Sequence, residues 1–400
     1  MKVYIIGAGP GDERYLTDYA RDLILEAGAV VTTHRLKEQF WHLNPNTTCE
    51  SVDELADIVV DMQDEQTNVC VLVSGDAGFY SISKTLCAAF READIDFECV
   101  NGISCLQYLA SALGETYDDA VSVSVHGREN NVVPYVCYNP KVFVLTGGSC
   151  KAHDVIAGLN AAGLGHVKVS LGENLGAENE SIITNTAKNM TAFKFGDLAV
   201  LLIKNETCAK YWEIIEDDEF ARGQTPMTKQ AVRRLALAKL NIKPDDVVVD
   251  IGAGTGSVSV EAARMAHCGR VFALEKDAGA LSLIRQNIKK FGAYNVAVIE
   301  AAAPGGLDDL PVADKAFIGG SGGKLAEIIA ALLAKNPKVK IVLTAIALET
   351  LCTALETLKT HELEPEIMNI NVALAEKTGP YHLMKAQNPV YIVSAGAGKK

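Results

Sequence analysis

Short β-branched runs alternate with amphipathic stretches along the start of the chain, a rhythm of strands with period two and helices with period 3.6. "KVYIIGAG" (2–9) reads as a strand ending in glycine, and "TDYARDLILEAG" (17–28) as an amphipathic helix with Gly28 as its C-cap. The alternation runs on through "AVVTT", "SVDELADIVVDMQDE", "NVCVLVSGD", "YSISKTLCAAFREA" and "DFECVNG". It predicts an α/β lobe over about 1–114 with a parallel sheet. A more strand-rich lobe over 115–206 follows, through "AVSVSVHGR", "KVFVLTGG", "KAHDVIAGLNAAG", "KVSLGENLG" and "LAVLLIKN". The acidic, aromatic "YWEIIEDDEFARGQTPMT" then breaks the pattern, and residues 207–222 are expected to link two domains.

Residues 223–400 carry a complete new series. Helix "KQAVRRLALAKLNI", strand "DVVVDIG", helix "VSVEAARMA", strand "RVFALEK", helix "AGALSLIRQNIKKFG" and strands "VAVIEAAA" and "KAFIGGS" come first. "KLAEIIAALLAKN", "KVKIVLTAIAL", "ETLCTALETLKT" and two final strands around "PEIMNINVAL" and "NPVYIVSA" complete a doubly wound α/β domain. The halves do not read as copies of each other, and no fixed-period repeat is evident.

Length agrees with this division, since 400 residues exceed one ordinary core. At 48% hydrophobic and 22% charged the chain is enzyme-like, and its net charge of -13 disfavours nonspecific nucleic-acid binding. No apolar run reaches the ~20 residues of a membrane span, and "MKVYIIGAGPGD" lacks a signal peptide's apolar core. A cytoplasmic protein is expected. The ten cysteines are scattered, without CxxC pairs or paired histidine spacing, so no metal is expected.

Two glycine-rich loops carry the candidate chemistry, "YIIGAGPGDE" (4–13) and "DIGAGTGSVSVEAA" (250–263). In the second, Gly252, Gly254 and Gly256 lie where a strand turns into a helix, so backbone can approach a ligand while helix N–H groups point outward. Glu275 ends the next strand, placed to accept from a ribose diol. The D-x-G-x-G-x-G spacing suits S-adenosylmethionine better than a dinucleotide. "GGSGG", Gly319 to Gly323, follows another strand, and its near-bare backbone suggests a wall beside a flat ligand, with Gly320, Ser321 and Gly322 at its centre.

"GQTPMTKQAVR", "DIGAGTGSVSVEAA", "ALEKD", "LIRQNIKKFG", "AFIGGSGG" and "NPVYIVS" together resemble the decarboxylating carbon-15 methyltransferase module of corrin biosynthesis. "GAGPGDERYLT", "VLVSGDAGFYSISKTL", "VNGISCLQYLASALG", "VSVHGR" and "GENLGAENE" resemble the tetrapyrrole methylase module that acts at carbon 5. Joined in this order they are similar to the precorrin-6Y methyltransferase (decarboxylating) family over nearly the whole chain. The resemblance implies a bilobed tetrapyrrole methylase (class III) fused to a Rossmann-like class I methyltransferase, in cobalamin biosynthesis. It implies C-methylation of a precorrin at C5 and C15 with loss of the C12 acetate carboxyl, and one S-adenosylmethionine per half.

Carried over by motif, the first cofactor would meet Gly75, Asp76, Phe79, Tyr80, Ile103 and Ser104, with the "GAGPGD" loop facing the substrate. Here Ala77 follows Asp76 and Asn101 precedes Gly102, where the family usually has proline. In the second half Thr228, Thr255, Ala302 and Ala303 join Gly252, Gly254, Gly256 and Glu275, with adenine held mainly by backbone and apolar contacts. No covalent intermediate is implied. The substrate's acid arms call for local positive charge, and the candidates are Arg35, Lys84, Arg128 and the adjacent His126, then Lys229, Arg233, Arg234 and Lys377. A homo-oligomer, dimer or tetramer, is expected. Metal-free and cobalt-containing substrates both fit, and the order of methylations stays open. An NAD-dependent dehydrogenase with a fused α/β domain and a noncatalytic tetrapyrrole carrier are the rival classes.

Overall fold

The computed structural model describes residues 1–62, 67–126 and 130–396. Its first apolar runs become the strands β1 (Val3–Gly7), β2 (Ala29–Thr32), β3 (Thr47–Cys49), β4 (Val69–Val73) and β5 (Phe97–Val100). They pair in the order β3-β2-β4-β1-β5, all parallel. β4 is buried at every position, as a central parallel strand covered on both faces must be. Successive side chains of a strand point to opposite faces. Ile5 thus joins Val31, Val71 and Phe90 on one side, and Ile6 joins Ile24, Leu36 and Phe40 on the other. Helices α1 (Asp18–Glu26), α2 (His34–Phe40), α3 (Leu55–Asp61), α4 (Ser83–Glu92) and α5 (Cys105–Leu113) connect these strands and lead to the next lobe. Ala27, not Gly28, caps α1. Gly28 instead makes room, for a Cβ there would fall 1.7 Å from Thr67 Oγ1.

A second sheet of β6 (Val121–Ser124), β7 (Lys141–Leu145), β8 (Lys168–Glu173), β9 (Ser181–Thr186) and β10 (Ala199–Lys204) runs β6-β7-β10-β8-β9. It is antiparallel except between β6 and β7. α6 (Val132–Tyr138), α7 (Ala152–Ala161) and α8 (Ala187–Met190) accompany it in sequence.

The chain forms two compact units, and their division is not one cut. Met1–Asn130, Lys141–Ala157 and Gly165–Lys204 make the first, whereas Asn131–Pro140, Gly158–Leu164 and Asn205–Lys400 make the second. Within the second unit the buried Tyr138 hydroxyl donates to Asn295 Oδ1 at 2.8 Å, and the Ala209 N–H donates to the Cys137 carbonyl at 2.8 Å. Residues 207–222, read from sequence as a linker, are therefore part of this unit.

Its sheet has the strands β11 (Val247–Ile251), β12 (Arg270–Glu275), β13 (Val296–Glu300), β14 (Lys315–Ile318), β15 (Lys340–Ala345), β16 (Glu366–Ile370) and, after a separate hairpin of β17 (Ala373–Thr378) and β18 (Tyr381–Ala386), β19 (Val390–Ala395). The order is β13-β12-β11-β14-β15-β19-β16, parallel through β15 and antiparallel at β19. α9 (Gln230–Leu240), α10 (Ser257–Met265), α11 (Ala278–Phe291), α12 (Leu325–Lys335) and α13 (Leu348–Thr360) complete it. Val248 faces the layer of Leu237, Ile284 and Phe291, and Val249 faces that of Ile328, Leu332 and Leu358. No helix among the described residues is long and apolar enough to cross a membrane.

Candidate active site

In the second unit the order of the strands places the first of them, β11, between β12 and β14, so the connections leave its carboxyl end in opposite directions. Open parallel sheets bind ligands at such a switch point. Gly252, Gly254 and Gly256 follow β11 with φ of +69°, +57° and +75°, and α10 begins at once. A Cβ on Gly252 would lie 2.5 Å from the Gly320 carbonyl oxygen, so the glycine loop and the "GGSGG" loop after β14 touch backbone to backbone. The bare wall is thus a partner of the first loop as well as a boundary of the cavity. Gly256 supports the packing of α11, where a Cβ would come 3.2 Å from Ile284.

These loops border an open cavity of about 970 Å³. Thr228, Gly252, Gly254, Thr255, Glu275, Ala302, Ala303, Gly320, Ser321 and Gly322, all anticipated from sequence, line it. Glu275 Oε2 accepts the Gly254 N–H at 2.9 Å, while Oε1 accepts those of Lys276 and Asp277 at 2.8 and 3.0 Å. A carboxylate has about four acceptor positions, so Oε2 keeps room for another donor. Thr255 is 1% exposed, and its hydroxyl, on the cavity lining, has no hydrogen-bond partner among the described residues. A loop with no room for a Cβ at Gly252, an orphaned hydroxyl and a fixed carboxylate suit a ligand with a diol and a polar tail. Beneath the loop, Asp250 is 1% exposed; Ser259 donates to its Oδ2, and burial pushes its carboxyl up to about 7.

Arg233 does not reach the site. It is fully buried, and its guanidinium donates to Asp217 Oδ1 at 2.9 Å, Glu261 Oε1 at 2.8 Å and the Thr228 carbonyl at 2.8 Å. It ties the start of α9 to α10 and to the segment before α9, which corrects the expectation that it meets substrate. Lys229 is exposed and lines the cavity, whereas Arg234 and Lys377 are not among its lining residues. Lys276 and Lys324 are, and sequence reasoning missed both. Their signal was position: each adjoins a loop already singled out.

In the first unit, Gly7, Gly75 and Gly102 at the ends of β1, β4 and β5 meet backbone to backbone. A Cβ on Gly102 would lie 2.3 Å from the Gly7 carbonyl oxygen and 2.5 Å from that of Gly75. Asp76 accepts the Gly78 N–H at 2.8 Å and the Gly102 N–H at 3.1 Å, fastening one loop to the next. The Ser104 hydroxyl caps α5 by accepting the Gln107 N–H at 3.1 Å, with Gln107 Oε1 accepting the Ser104 N–H in return. Phe79 packs on Phe143, Leu106 and Leu109, and Tyr80, at φ 48°, donates its hydroxyl to the Ser122 carbonyl at 2.9 Å. Side chains expected to touch a ligand here build the loop itself, while Ile103 is half-buried. Arg35 donates to Ser74 Oγ at 2.6 Å, beside the same loop. Burial lowers its pKa. Lys84 is exposed on α4, and exposed His126 approaches the Thr146 carbonyl through Nδ1 at 3.4 Å. Arg128 lies outside the described residues.

Residues 218–396 match the family model for the precorrin methyltransferase domain, and residues 2–191 that for tetrapyrrole (corrin/porphyrin) methylases. A protein of Pyrobaculum calidifontis named probable cobalt-precorrin-6B C(15)-methyltransferase (decarboxylating) is 44% identical over 186 residues, 46% of this chain and 95% of that one. A Sinorhizobium protein named decarboxylating precorrin-6Y C(5,15)-methyltransferase is 28% identical over 392 residues, 96% of this chain and 94% of its own. A crystal structure from Geobacter metallireducens GS-15, titled precorrin-6Y C5,15-methyltransferase, is 48% identical, covering 45% of this chain and 94% of that one with a TM-score of 0.44.

Proposed function

Because the chain belongs to the decarboxylating precorrin methyltransferases, we propose that it methylates a precorrin at C5 and C15 and removes the carboxyl of the C12 acetate arm. Each half holds its own S-adenosylmethionine, and the second half carries out the C15 transfer together with the loss of carbon dioxide. The observation that carries this reading is the cavity at the β11/β14 switch point, with its glycine cradle, the orphaned Thr255 hydroxyl and the remaining acceptor position of Glu275.

Bound S-adenosylmethionine supplies an electrophilic methyl group on a sulfonium. The chain's task is placement, which by itself lowers a bimolecular barrier strongly. In the second half the Gly252–Gly254 backbone admits the donor closely, Glu275 and Thr255 fix its polar ends, and the Ala302–Ala303 side offers an apolar seat for adenine. In the first half Asp76 and Ser104 hold the shape of the loops, so contact falls to the Gly75 and Ile103 region.

The enzyme is in this reading a cytoplasmic homo-oligomer. Ten free cysteines suit a reducing compartment. The β17–β18 hairpin is exposed at every position, with Leu374, Tyr381, Leu383 and Met384 among its side chains, and a second copy would cover such a ribbon. Calorimetric titration should find two S-adenosylmethionine sites per chain. Incubation with the metal-free precorrin, followed by mass spectrometry, should show two added CH2 masses and one lost CO2; a single methyl addition without CO2 loss would refute the two-site reading. The parallel incubation with cobalt-containing substrate decides which form is used.

A further inference from the structure

The charges lining the cavity of the second unit are unequally committed. Its acidic members are already engaged by backbone, Glu275 with three N–H groups and Asp277 Oδ1 with the Ala280 N–H at 2.8 Å. Its lysines, Lys229, Lys276 and Lys324, are exposed, and their ammonium groups have no hydrogen-bond or ion-pair partner among the described residues. The available charge is positive, in a chain of net charge -13.

Lys276 and Lys324 belong to different loops, after β12 and before α12, yet both border the loop Gly319–Gly323. Lys276 Nζ lies 3.9 Å from where a Cβ on Gly322 would stand, and the Lys324 N–H donates to the Ser321 carbonyl at 3.0 Å. Between them the loop presents backbone and one hydroxymethyl group. We infer that Lys276 and Lys324 form a clamp that positions a carboxylate arm of the tetrapyrrole over the "GGSGG" loop, a role that rests on the function proposed above. An alternative carboxylate is that of the cofactor's amino-acid part. The substrate arm fits better, because the Thr255 hydroxyl that suits the cofactor is buried, whereas Lys276 and Lys324 are exposed residues of the cavity lining. A carboxylate paired with two ammonium groups is stabilised as the anion and resists losing carbon dioxide. The clamped arm is therefore one that the product keeps, and the lysines are positioning residues that select which arm is left to react.

The test uses the full chain with Lys276→Gln, Lys324→Gln, the double variant, the charge-retaining Lys276→Arg, and Lys359→Gln on α13 as a control. Two quantities are measured: the tetrapyrrole dependence of carbon dioxide release, and the S-adenosylmethionine dissociation constants by calorimetry. Each glutamine substitution should raise KM for the tetrapyrrole about three- to tenfold, the range of one charged hydrogen bond at a partly open site, with the double variant rising further. The value of kcat and both cofactor constants should stay within about twofold, with Lys276→Arg recovering most of the loss. An unchanged KM in the double variant overturns the clamp, and a matching loss of cofactor affinity overturns it in favour of the cofactor's carboxylate. If the wild-type chain releases no carbon dioxide from any precorrin while binding S-adenosylmethionine, the proposed function fails and the clamp with it.

Discussion

Glu275 Oε2 accepts the Gly254 N–H at 2.9 Å across the gap between two strand ends. The residue chosen from sequence for a ribose diol is therefore also a fastener of the cofactor loop. Its removal should act twice. Glu275→Ala strands three backbone donors and is expected to cost about 1–3 kcal/mol of stability, together with about tenfold or more in cofactor affinity at the second site alone. Chemical denaturation and calorimetry together check this. Lost affinity at unchanged stability would show that the loop keeps its shape without the carboxylate.

Arg233 makes a contrasting prediction. Its guanidinium is enclosed by Asp217, Glu261 and the Thr228 carbonyl, with Phe220 4.9 Å away in a cation–π contact. Arg233→Met leaves the carboxylates without their cation and should destabilise the second unit by about 3–5 kcal/mol. At a temperature where the variant is still folded, KM for the tetrapyrrole should match wild type. A stable variant with a raised KM would return Arg233 to the substrate-binding set.

Asp250 links the same loop to pH. Its folded pKa of about 7 lies well above the ~3.9 of an unfolded chain, so between those values the folded state keeps a proton that the unfolded state has released. This group's contribution to stability is full below the unfolded value and is lost as pH rises through about 7, at about 1.4 kcal/mol per unit. Asp250→Asn is neutral throughout. Relative to wild type it should gain stability between pH 5 and pH 8, as read by urea unfolding; parallel profiles would show that the carboxyl is ionised in the fold.

Gly252 and Gly75 separate the two chemistries. At Gly252 a Cβ meets the Gly320 backbone at 2.5 Å, whereas at Gly75 the nearest heavy atom is 3.8 Å away and the cost is the positive φ of +70°. Gly252→Ala should abolish carbon dioxide release and one methylation while the other methyl is still added. Gly75→Ala should cost about 1–2 kcal/mol of backbone strain and leave carbon dioxide release intact. Mass spectrometry of single-turnover products distinguishes them, and carbon dioxide release that survives Gly252→Ala would reverse the assignment of halves.

Most of the strands were legible because buried parallel strands are written as apolar runs, as in "VCVLV", whereas their order in the sheets was not read from the sequence. The hairpin β17–β18 was not, since neither of its faces is buried and no alternation is imposed on it; only the "TGP" between its strands marked a turn. The burial of Arg233 could have been found, for it shares the helical stripe of Ala236, Leu237 and Leu240, and the acidic run before α9 supplies a counter-charge. The capping box of Ser104 and Gln107 was equally readable from its spacing. What no local pattern could reveal is that Asn131–Pro140 and Gly158–Leu164 fold with the second unit, because their partners, Asn295 and Ala209 among them, are distant in sequence.

The meeting of Gly7, Gly75 and Gly102 has a consequence for how this chain can change. Any single-base change in a glycine codon that alters the residue introduces a Cβ or a stop. A Cβ on Gly7 would fall 2.7 Å from the Gly75 carbonyl oxygen, and one on Gly102 2.3 Å from that of Gly7. Stepwise drift through either position must pass through a clash between main chains, which no rotamer relieves. The ends of these three strands are thus held fixed over generations by the absence of a viable first step, while the side chains around them stay free to vary.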